Sequence, residues 1–336
     1  MTDKAKLLPK DQVERAARQC GRVLDAINNV ILGKPDLIRL TFATLLAGGH
    51  VLLEGLPGLG KTVLAKSFAT ALGVRYRRIQ FTPDLLPSDI TGSYVLEEGE
   101  GGRSMKFYPG PVFTHLLLAD EVNRASPKTQ SALLEAMSEG QVTQLGNTMP
   151  LEPPFCVLAT QNPIELEGTY PLPEAQLDRF AVKLDVAGTD KDVLKAIITE
   201  RKDGRPTEPP QIVALDELLA LQQMVHDIYL PEAVGEHVAG LVALTHADAP
   251  GAPDPVKAGV RFGASPRGAI WLALIAKALA LLDGRPGVGF EDVRTAAPAV
   301  LGHRIILQHA ARLDGHTGRG IAAQLVDLSE GRITGT

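Results

Sequence analysis

A glycine-rich loop between an apolar strand and a helix constrains the fold of this chain more than any other feature of the sequence. The loop, GLPGLGKT at residues 55–62, matches the pattern G-x-x-x-x-G-K-[ST]. The apolar run HVLLE, typical of a buried parallel strand, stands before it, and apolar residues at helical spacing follow it. Glycines let backbone N–H groups turn toward phosphate oxygens, and the helix N-terminus adds a positive dipole end. The sequence therefore predicts a triphosphate-binding loop.

The residues of this loop have separate expected parts in binding. Lys61 should reach the β- and γ-phosphates, and the Thr62 hydroxyl should bind Mg²⁺. A chance match in a glycine-rich turn is the alternative, and the strand–loop–helix context disfavours it. The remaining cofactor-binding residues assigned to this segment are Gly55, Pro57, Gly58, Leu59, Gly60 and Val63.

Two adjacent carboxylates end a second apolar strand, LLLADE at residues 116–121. Asp120 is predicted to help bind Mg²⁺, and Glu121 is predicted to act as the general base that polarises the attacking water. An isolated acid at a strand end is common, and a solvated strand end would explain it equally well. The combination with the phosphate-binding loop favours a site that hydrolyses a nucleoside triphosphate.

Further polar residues follow the next strand and the segments after it. Asn162, in TQNP, is predicted to orient water against the γ-phosphate, and turn formation with Pro163 is the alternative. Charge on the transferring phosphoryl group also requires a cation. Arg179, in EAQLDRF, and Arg267, in SPRG, are candidates. By themselves, these residues do not distinguish a catalytic arginine from one that forms a surface ion pair.

The alternation of strands and helices up to about residue 186 predicts an α/β fold with a mostly parallel sheet. Two polar turns between short strands predict hairpins at residues 94–107 and 141–152, which interrupt the alternation. Beyond these segments the periodicity is helical, with helices predicted near 215–228, 231–246, 266–283 and 290–308, and with a loop at 248–259. We divide the chain into an α/β domain at 1–187, a linking segment at 188–214 and a helical domain at 215–336.

Composition limits the class of protein. The chain has 336 residues, 45% hydrophobic and 22% charged, with a formal net charge of −5. These values exclude wholesale disorder and a coiled-coil rod. They also give no overall positive charge of the kind that favours nucleic-acid binding. Cys20 and Cys156 fit no metal motif or disulfide framework. We expect a cytoplasmic protein without membrane insertion, because the N-terminus lacks a signal-peptide pattern and the apolar stretch Trp271–Leu282 is too short to span a bilayer.

Taken in order, these motifs resemble those of the AAA+ ATPases. The longer phrases GHVLLEGLPGLGKT, FTPDLLPSDITG, LADEVNRASPKTQSALLEAM and YPLPEAQLDRF resemble the MoxR family, and the resemblance covers roughly residues 25–310. It implies an AAA+ P-loop αβα sandwich followed by a small all-α lid, assembled as a ring that is usually a hexamer. It further implies Mg²⁺–ATP hydrolysis and a chaperone-like role, including metal insertion. Its implied partners are client proteins and von Willebrand factor A-domain proteins.

The resemblance also implies a role for each matching residue. Val30, Ile31 and Gly33 would hold the adenine, and the two hairpins would be the helix-2 insertion and the pre-sensor-1 hairpin. Whether the sensor 2 arginine acts in its own subunit or in the neighbour stays open. The matches are Lys61 and Thr62 for Walker A, Asp120 and Glu121 for Walker B, Asn162 for sensor 1, Arg179 for the arginine finger, and Arg267 for sensor 2.

Other functions and contacts remain open. A magnesium-chelatase-like ATPase subunit would share this active site and differ in its partners. A DNA-associated AAA+ motor would share the hairpins, but QVTQLGNTMPLE has no Lys or Arg to neutralise phosphates. A nucleotide-gated scaffold would bind without turnover. Gln80 is a candidate to restrain Glu121, and the acidic hairpin tip of Glu97, Glu98 and Glu100 is a candidate contact for a basic partner.

Overall fold

Strands and helices alternate along the chain as far as Glu200. The structure is a computed structural model that describes residues 7–99, 102–163, 168–200 and 206–333. The elements of this first part are α1 (Lys10–Asn28), α2 (Pro35–Leu46), β1 (Val51–Glu54), α3 (Lys61–Ala71), β2 (Tyr76–Gln80), α4 (Pro87–Thr91), β3 (Gly92–Gly99), β4 (Gly102–Pro109), β5 (Leu116–Asp120), α5 (Pro127–Glu139), β6 (Gln141–Gln144), β7 (Asn147–Pro150), β8 (Cys156–Gln161), α6 (Glu174–Leu177), β9 (Val182–Asp185) and α7 (Lys191–Glu200).

Helices dominate the part of the chain after Glu200. They confirm the predicted helical lid, to which the structure adds one short antiparallel strand pair. The elements are α8 (Leu215–Asp227), α9 (Glu232–Ala243), α10 (Asp254–Gly259), β10 (Val260–Phe262), α11 (Pro266–Leu282), α12 (Phe290–Leu301), β11 (Ile306–Leu307), α13 (His309–Leu313) and α14 (Gly318–Ile333).

A five-stranded parallel sheet lies at the centre of the α/β part, with strand order β2-β5-β8-β1-β9. Its three central strands, β5, β8 and β1, are apolar on both faces: in β1, Val51 and Leu53 face one apolar cluster and Leu52 faces the other. A parallel sheet covered on both sides requires this pattern. The prediction of an α/β fold with a mostly parallel sheet is therefore confirmed.

The larger apolar cluster joins the two parts of the chain. It combines one face of the sheet with α1, α2 and α3 and with the helices of the second part. Both α1 and α2 contact α11, the most apolar helix of that part. The N-terminal helices therefore pack on the helical part as well as on the sheet. The domain boundaries at residues 187 and 215 stay a prediction.

Three segments differ from the sequence-based expectation. The linking segment 188–214 contains α7. Its Val193 lies beside Gly33, and its Ile197 lines a cavity next to the glycine-rich loop. The loop predicted at 248–259 contains α10. The helix predicted to reach residue 308 ends at Leu301, and α14 packs against the next residue, Gly302, so closely that a Cβ there would lie 2.9 Å from the Cα of Arg319.

The two predicted hairpins are present, and the tip of the second contacts the base of the first. Gln144 donates from Nε2 to Thr91 Oγ1 at 2.6 Å, and Asn147 donates to the Tyr94 hydroxyl at 3.0 Å. Their exposed apolar side chains include Leu96 and Leu145.

The acidic tip of the first hairpin is largely paired within the hairpin itself. Glu97 accepts hydrogen bonds from Lys106 and Tyr108, and Glu98 accepts one from Arg103 at 2.7 Å. Glu100 lies outside the described residues. Because the two described carboxylates have partners on their own hairpin, the tip is weaker as a contact for a basic partner than the sequence indicated.

Two further sequence expectations concern cysteines and membranes. Cys20 and Cys156 are buried free thiols, and burial raises the pKa of each to about 12. Within the described ranges, every helix is too short or too polar to cross a lipid bilayer.

His50, immediately before β1, forms hydrogen bonds to both α5 and β8, and these two bonds fix its tautomer. Its Nε2 donates to Met137 O at 3.0 Å, and its Nδ1 accepts from Val157 N at 3.1 Å. Burial lowers the pKa of His50 to about 4, an effect only partly opposed by the bond to Met137. A second proton would sit on Nδ1, against the N–H of Val157. The folded state therefore requires neutral His50.

We predict that acidification destabilises the fold through His50. The folded pKa lies below the unfolded value of 6.5, so the unfolded state binds more protons as the pH falls through 6.5. The unfolding free energy should drop by about 2 kcal/mol between pH 7 and pH 5 from this residue. Urea unfolding followed by fluorescence of Trp271, the single tryptophan, measures it. His50→Asn should lose that part of the pH dependence, and exposed His309→Asn should keep it. Equal slopes in wild type and His50→Asn contradict the prediction.

Candidate active site

The carboxyl ends of the parallel strands bring the predicted site residues to one edge of the sheet. Gln80 ends β2, Asp120 ends β5, and Asn162 follows β8. The glycine-rich loop starts after β1, which lies next to β8. Together they surround a cavity of about 350 Å³. The residues that line it are Pro57, Gly58, Gly60, Lys61, Thr62, Val63, Arg78, Gln80, Asp120, Glu121 and Asn162.

Two glycines shape the loop for an anion. Gly58 and Gly60 have φ of 80° and 83°, a conformation that favours glycine, and a Cβ on either would meet open space. Gly60 is also the residue that precedes α3, whose N-terminus faces the cavity. Gly55 is required for another reason, since a Cβ there would lie 2.7 Å from Val186 O. The loop is thus an open cradle in front of a helix N-terminus, and an anionic phosphate fits it.

Lys61 lies inside this cradle. Its ammonium donates to the carbonyl oxygens of Gly55 and Leu56, two acceptors that a phosphate oxygen could replace. Burial lowers the pKa of Lys61, and the carboxylates of Asp120, Glu121 and Glu54 oppose this shift. Among the described residues, no carboxylate is in direct contact with this partly desolvated ammonium, which favours an incoming anion.

Asp120 is nearly buried and is held by two neighbours. Thr160 donates from Oγ1 to Asp120 Oδ1 at 2.6 Å, and Arg78 donates to Asp120 Oδ2 at 2.7 and 3.1 Å. The Thr62 hydroxyl and the Asp120 carboxylate line the same cavity, and both are oxygen ligands of the kind that Mg²⁺ prefers. The donor set therefore fits a magnesium ion bound together with phosphates. Sequence reasoning missed Arg78, although an arginine in the strand beside Asp120 was visible.

Glu121 has a strained backbone and a restrained carboxylate. Its φ of 57° is left-handed, which is uncommon for a residue other than glycine and is characteristic of functional sites. The Glu121 N–H donates to Thr160 Oγ1 at 2.8 Å. Its Oε2 accepts from Gln80 Nε2 at 2.7 Å and from Arg124 at 3.0 Å. The contact expected between Gln80 and Glu121 is present.

Asn162 lines the same cavity and follows β8, the strand next to β5. It is buried, and its carbonyl oxygen accepts from Asn123 Nδ2 at 3.3 Å. Asn123 belongs to the short turn after Glu121. The structure thus brings the tips of β5 and β8 together, with an amide and a carboxylate facing one cavity.

A smaller cavity of about 90 Å³ adjoins the loop on the side predicted for the adenine. Ile31 lines it, together with Leu59. Gly33 has φ of 74°, and a Cβ there would lie 2.5 Å from Val193 of α7. Gly33 therefore allows α7 to pack closely. Sequence reasoning missed Lys34, beside Gly33, and two residues that line this cavity from the segment after β9, Thr189 and Ile197.

Arg179 and Arg267 lie away from this cavity. Arg179 precedes β9, which runs parallel to β1, so it is at the amino edge of the sheet. Arg179 donates to Leu134 O at 2.7 Å, and Arg267 donates to Asp178 Oδ2 at 3.2 Å. At about 3.3 Å per residue, the strands separate the two edges by on the order of 13 Å. Neither arginine is among the described residues that line the phosphate cavity.

Comparisons with known proteins agree with this geometry. The profile described as "ATPase family associated with various cellular activities (AAA)" matches residues 50–182, and an AAA lid domain profile matches residues 256–324. Chaperone MoxR1 of Mycobacterium tuberculosis is 41% identical over 87% of this chain and 77% of that protein. This chain belongs to the MoxR family of AAA+ ATPases.

Two more relatives show how far the MoxR family likeness extends. The Bacillus subtilis protein YeaC is 42% identical over 91% of this chain and 92% of its own length. The crystal structure of a candidate ATPase from Cytophaga hutchinsonii has a TM-score of 0.86 at 38% identity, and the match covers 94% of this chain and 96% of that chain. The sheet, the phosphate-binding loop and the lid of this MoxR-family chain are thus matched together.

We predict that the hydroxyl of Thr160 stabilises the acidic end of β5. Thr160 is fully buried and bonds both Asp120 and the backbone of Glu121. Thr160→Val keeps the shape and leaves two polar groups unpaired, so unfolding free energy should fall by about 1–3 kcal/mol. Thr41→Val is the matched control, because Thr41 is fully buried and its hydroxyl has no partner among the described residues. The control should be neutral or stabilising in urea unfolding. Equal losses in the two variants would contradict the role of Thr160.

Proposed function

We propose that this chain hydrolyses Mg²⁺–ATP as a ring of identical subunits and uses the reaction to remodel or mature partner proteins. One observation carries the proposal: the phosphate cradle and both carboxylates lie at the carboxyl edge of the sheet, and the two candidate arginines lie at the amino edge. A further cation on the transferring phosphoryl group, besides Lys61, is then supplied by a second copy of the chain.

Within one subunit, the described side chains divide the work of hydrolysis. Lys61 exchanges its two carbonyl acceptors for phosphate oxygens, and the loop N–H groups bind the remaining phosphate oxygens. A magnesium ion on Thr62 and Asp120 supplies charge neutralisation when bound. Glu121 accepts a proton from water as the oxygen attacks the γ-phosphorus and the bond to ADP breaks. Asn162 donates to that water or to the γ-phosphate.

Between subunits, Arg179 and Arg267 act on the neighbour's nucleotide. The two arginines lie close together, since Arg267 bonds Asp178, the residue directly before Arg179. Their position at the amino edge supports action in trans for both, Arg267 included. For comparison, an arginine finger contributes a factor of about 10³–10⁵ in other phosphoryl-transfer enzymes.

The chaperone-like part of the proposal depends on the family. The relative from Mycobacterium tuberculosis is named a chaperone. In this chain the two hairpins expose Leu96, Met105 and Leu145, apolar side chains suited to contact with a partner polypeptide. We propose client proteins and von Willebrand factor A-domain proteins as those partners, with metal insertion into a client as one form of maturation.

Glu121→Gln should abolish turnover and leave nucleotide binding intact. The amide keeps the shape and the contacts of the side chain but does not accept a proton. We expect steady-state ATPase activity to fall by at least about 100-fold, the lower end of the general-base contribution. The affinity for ATP with Mg²⁺, measured by calorimetry, should stay within about twofold. Turnover that survives in Glu121→Gln removes Glu121 from the role of base.

Arg179→Ala should be inactive alone and active in mixtures with Lys61→Ala. The first variant keeps its nucleotide site and lacks the finger, and the second keeps the finger and lacks the nucleotide site. A mixed ring places the intact finger beside the intact site, so ATPase activity should pass through a maximum as the ratio varies. Arg15→Ala, on the exposed face of α1, is the control and should behave as wild type. Absence of restoration at every ratio argues against action in trans.

A further inference from the structure

Arg304 is a buried cation that the mechanism above does not use. It lies just after α12 and is 5% exposed. Its Nε donates to Asp178 Oδ1 at 2.8 Å, and its two terminal nitrogens donate to Asp178 O at 3.0 Å, Phe180 O at 2.6 Å and Ala181 O at 3.1 Å. One guanidinium of the lid therefore binds three carbonyl oxygens and one carboxylate of the segment that contains Arg179.

Asp178 receives its other hydrogen bonds from the lid as well. The Ser265 hydroxyl lies 3.0 Å from each carboxylate oxygen, and Arg267 donates to Oδ2 at 3.2 Å. His303, the residue before Arg304, bonds Phe180 O at 3.1 Å. The backbone on both sides of Arg179 is thus bound by side chains of the segment after α12, and the Asp178 carboxylate is also bound by side chains at the start of α11.

The chemistry of this cluster favours a positioning role. A guanidinium presents its donors in a rigid planar fork, so its acceptors are held in a defined geometry relative to one another. A buried ion pair is a weak source of stability compared with an apolar replacement, because desolvation offsets the attraction. Here the pair is directly next to the residue that must reach another subunit. Stability alone gives no reason to place it there.

We propose that Arg304 and Asp178 are positioning residues that fix the backbone of Arg179 to the lid, so that the lid of one subunit sets the finger in the neighbouring site. This inference rests on the proposed action of Arg179 in trans. A displacement of about 1 Å in a catalytic group can cost about 100-fold in rate. Movement of the lid in one subunit is then transmitted to hydrolysis in the next.

The test compares Asp178→Asn and Arg304→Lys with Arg179→Ala in the full chain. We expect each positioning variant to lower kcat by about 10- to 100-fold and to leave the affinity for ATP with Mg²⁺ within about twofold. Mixing either variant with Glu121→Gln should restore activity, because the Glu121→Gln subunit contributes an intact finger. Adding Asp178→Asn to Arg179→Ala should lower kcat no further. Arg285→Lys is the matched control, since Arg285 bonds Asp292 and Asp283 within the lid and should keep wild-type kcat.

The outcomes separate this inference from the proposed function. Wild-type kcat in Asp178→Asn, with Arg179→Ala inactive, overturns the positioning pair alone. Loss of kcat without restoration in mixtures also overturns it, because a general structural defect would behave in this way. Full turnover in Arg179→Ala overturns action in trans and the positioning pair with it. If Arg304→Lys does not fold, Asp178→Asn decides, since it keeps the side-chain shape and removes only the charge.

Discussion

Parallel pairing of five strands is the constraint on which the rest of this structure depends. Parallel strands all end at the same edge, so the phosphate-binding loop, Asp120 and Asn162 meet there without any further device. For the same reason, the segment before β9 lies at the opposite edge, where Arg179 is found. The length of a strand keeps these groups apart within one subunit. In the proposed function, the chemistry at one edge of the sheet therefore uses the other edge of a second copy.

The acidic end of β5 is stabilised by neutral and cationic neighbours within the chain. Two adjacent carboxylates face the cavity, and residues of β2 contact both: Arg78 bonds Asp120, and Gln80 bonds Glu121. Thr160 of β8 connects the same two residues from the other side. This arrangement supplies hydrogen bonds that buried carboxylates require. It also means that a magnesium ion on Asp120 would share or displace the contact with Arg78.

The sequence predicted a strand or helix well where residues within or next to that element carry the signal. The apolar run before GLPGLGKT predicted β1, and Ser126 before Pro127 is consistent with the start of α5. The helix α7 escaped prediction because what it packs against lies far away in sequence: Val193 contacts Gly33. The close packing of α14 on Gly302, after the end of α12, is another distant contact. In each case, the deciding interaction joins segments that no periodicity relates.

The sequence by itself determined the chemistry: a glycine-rich loop with Lys61 and Thr62, two acids after an apolar strand, and arginines in recognisable phrases. Those features depend on residue type and near-neighbour spacing, which the chain states directly. Only the tertiary structure decided which groups meet. It placed Arg78 on Asp120, brought Arg267 to the segment of Arg179, and buried Arg304 against three carbonyl oxygens of that segment. The reason is physical: the strength of a hydrogen bond or ion pair depends on distance and burial, and both arise only when the chain has folded.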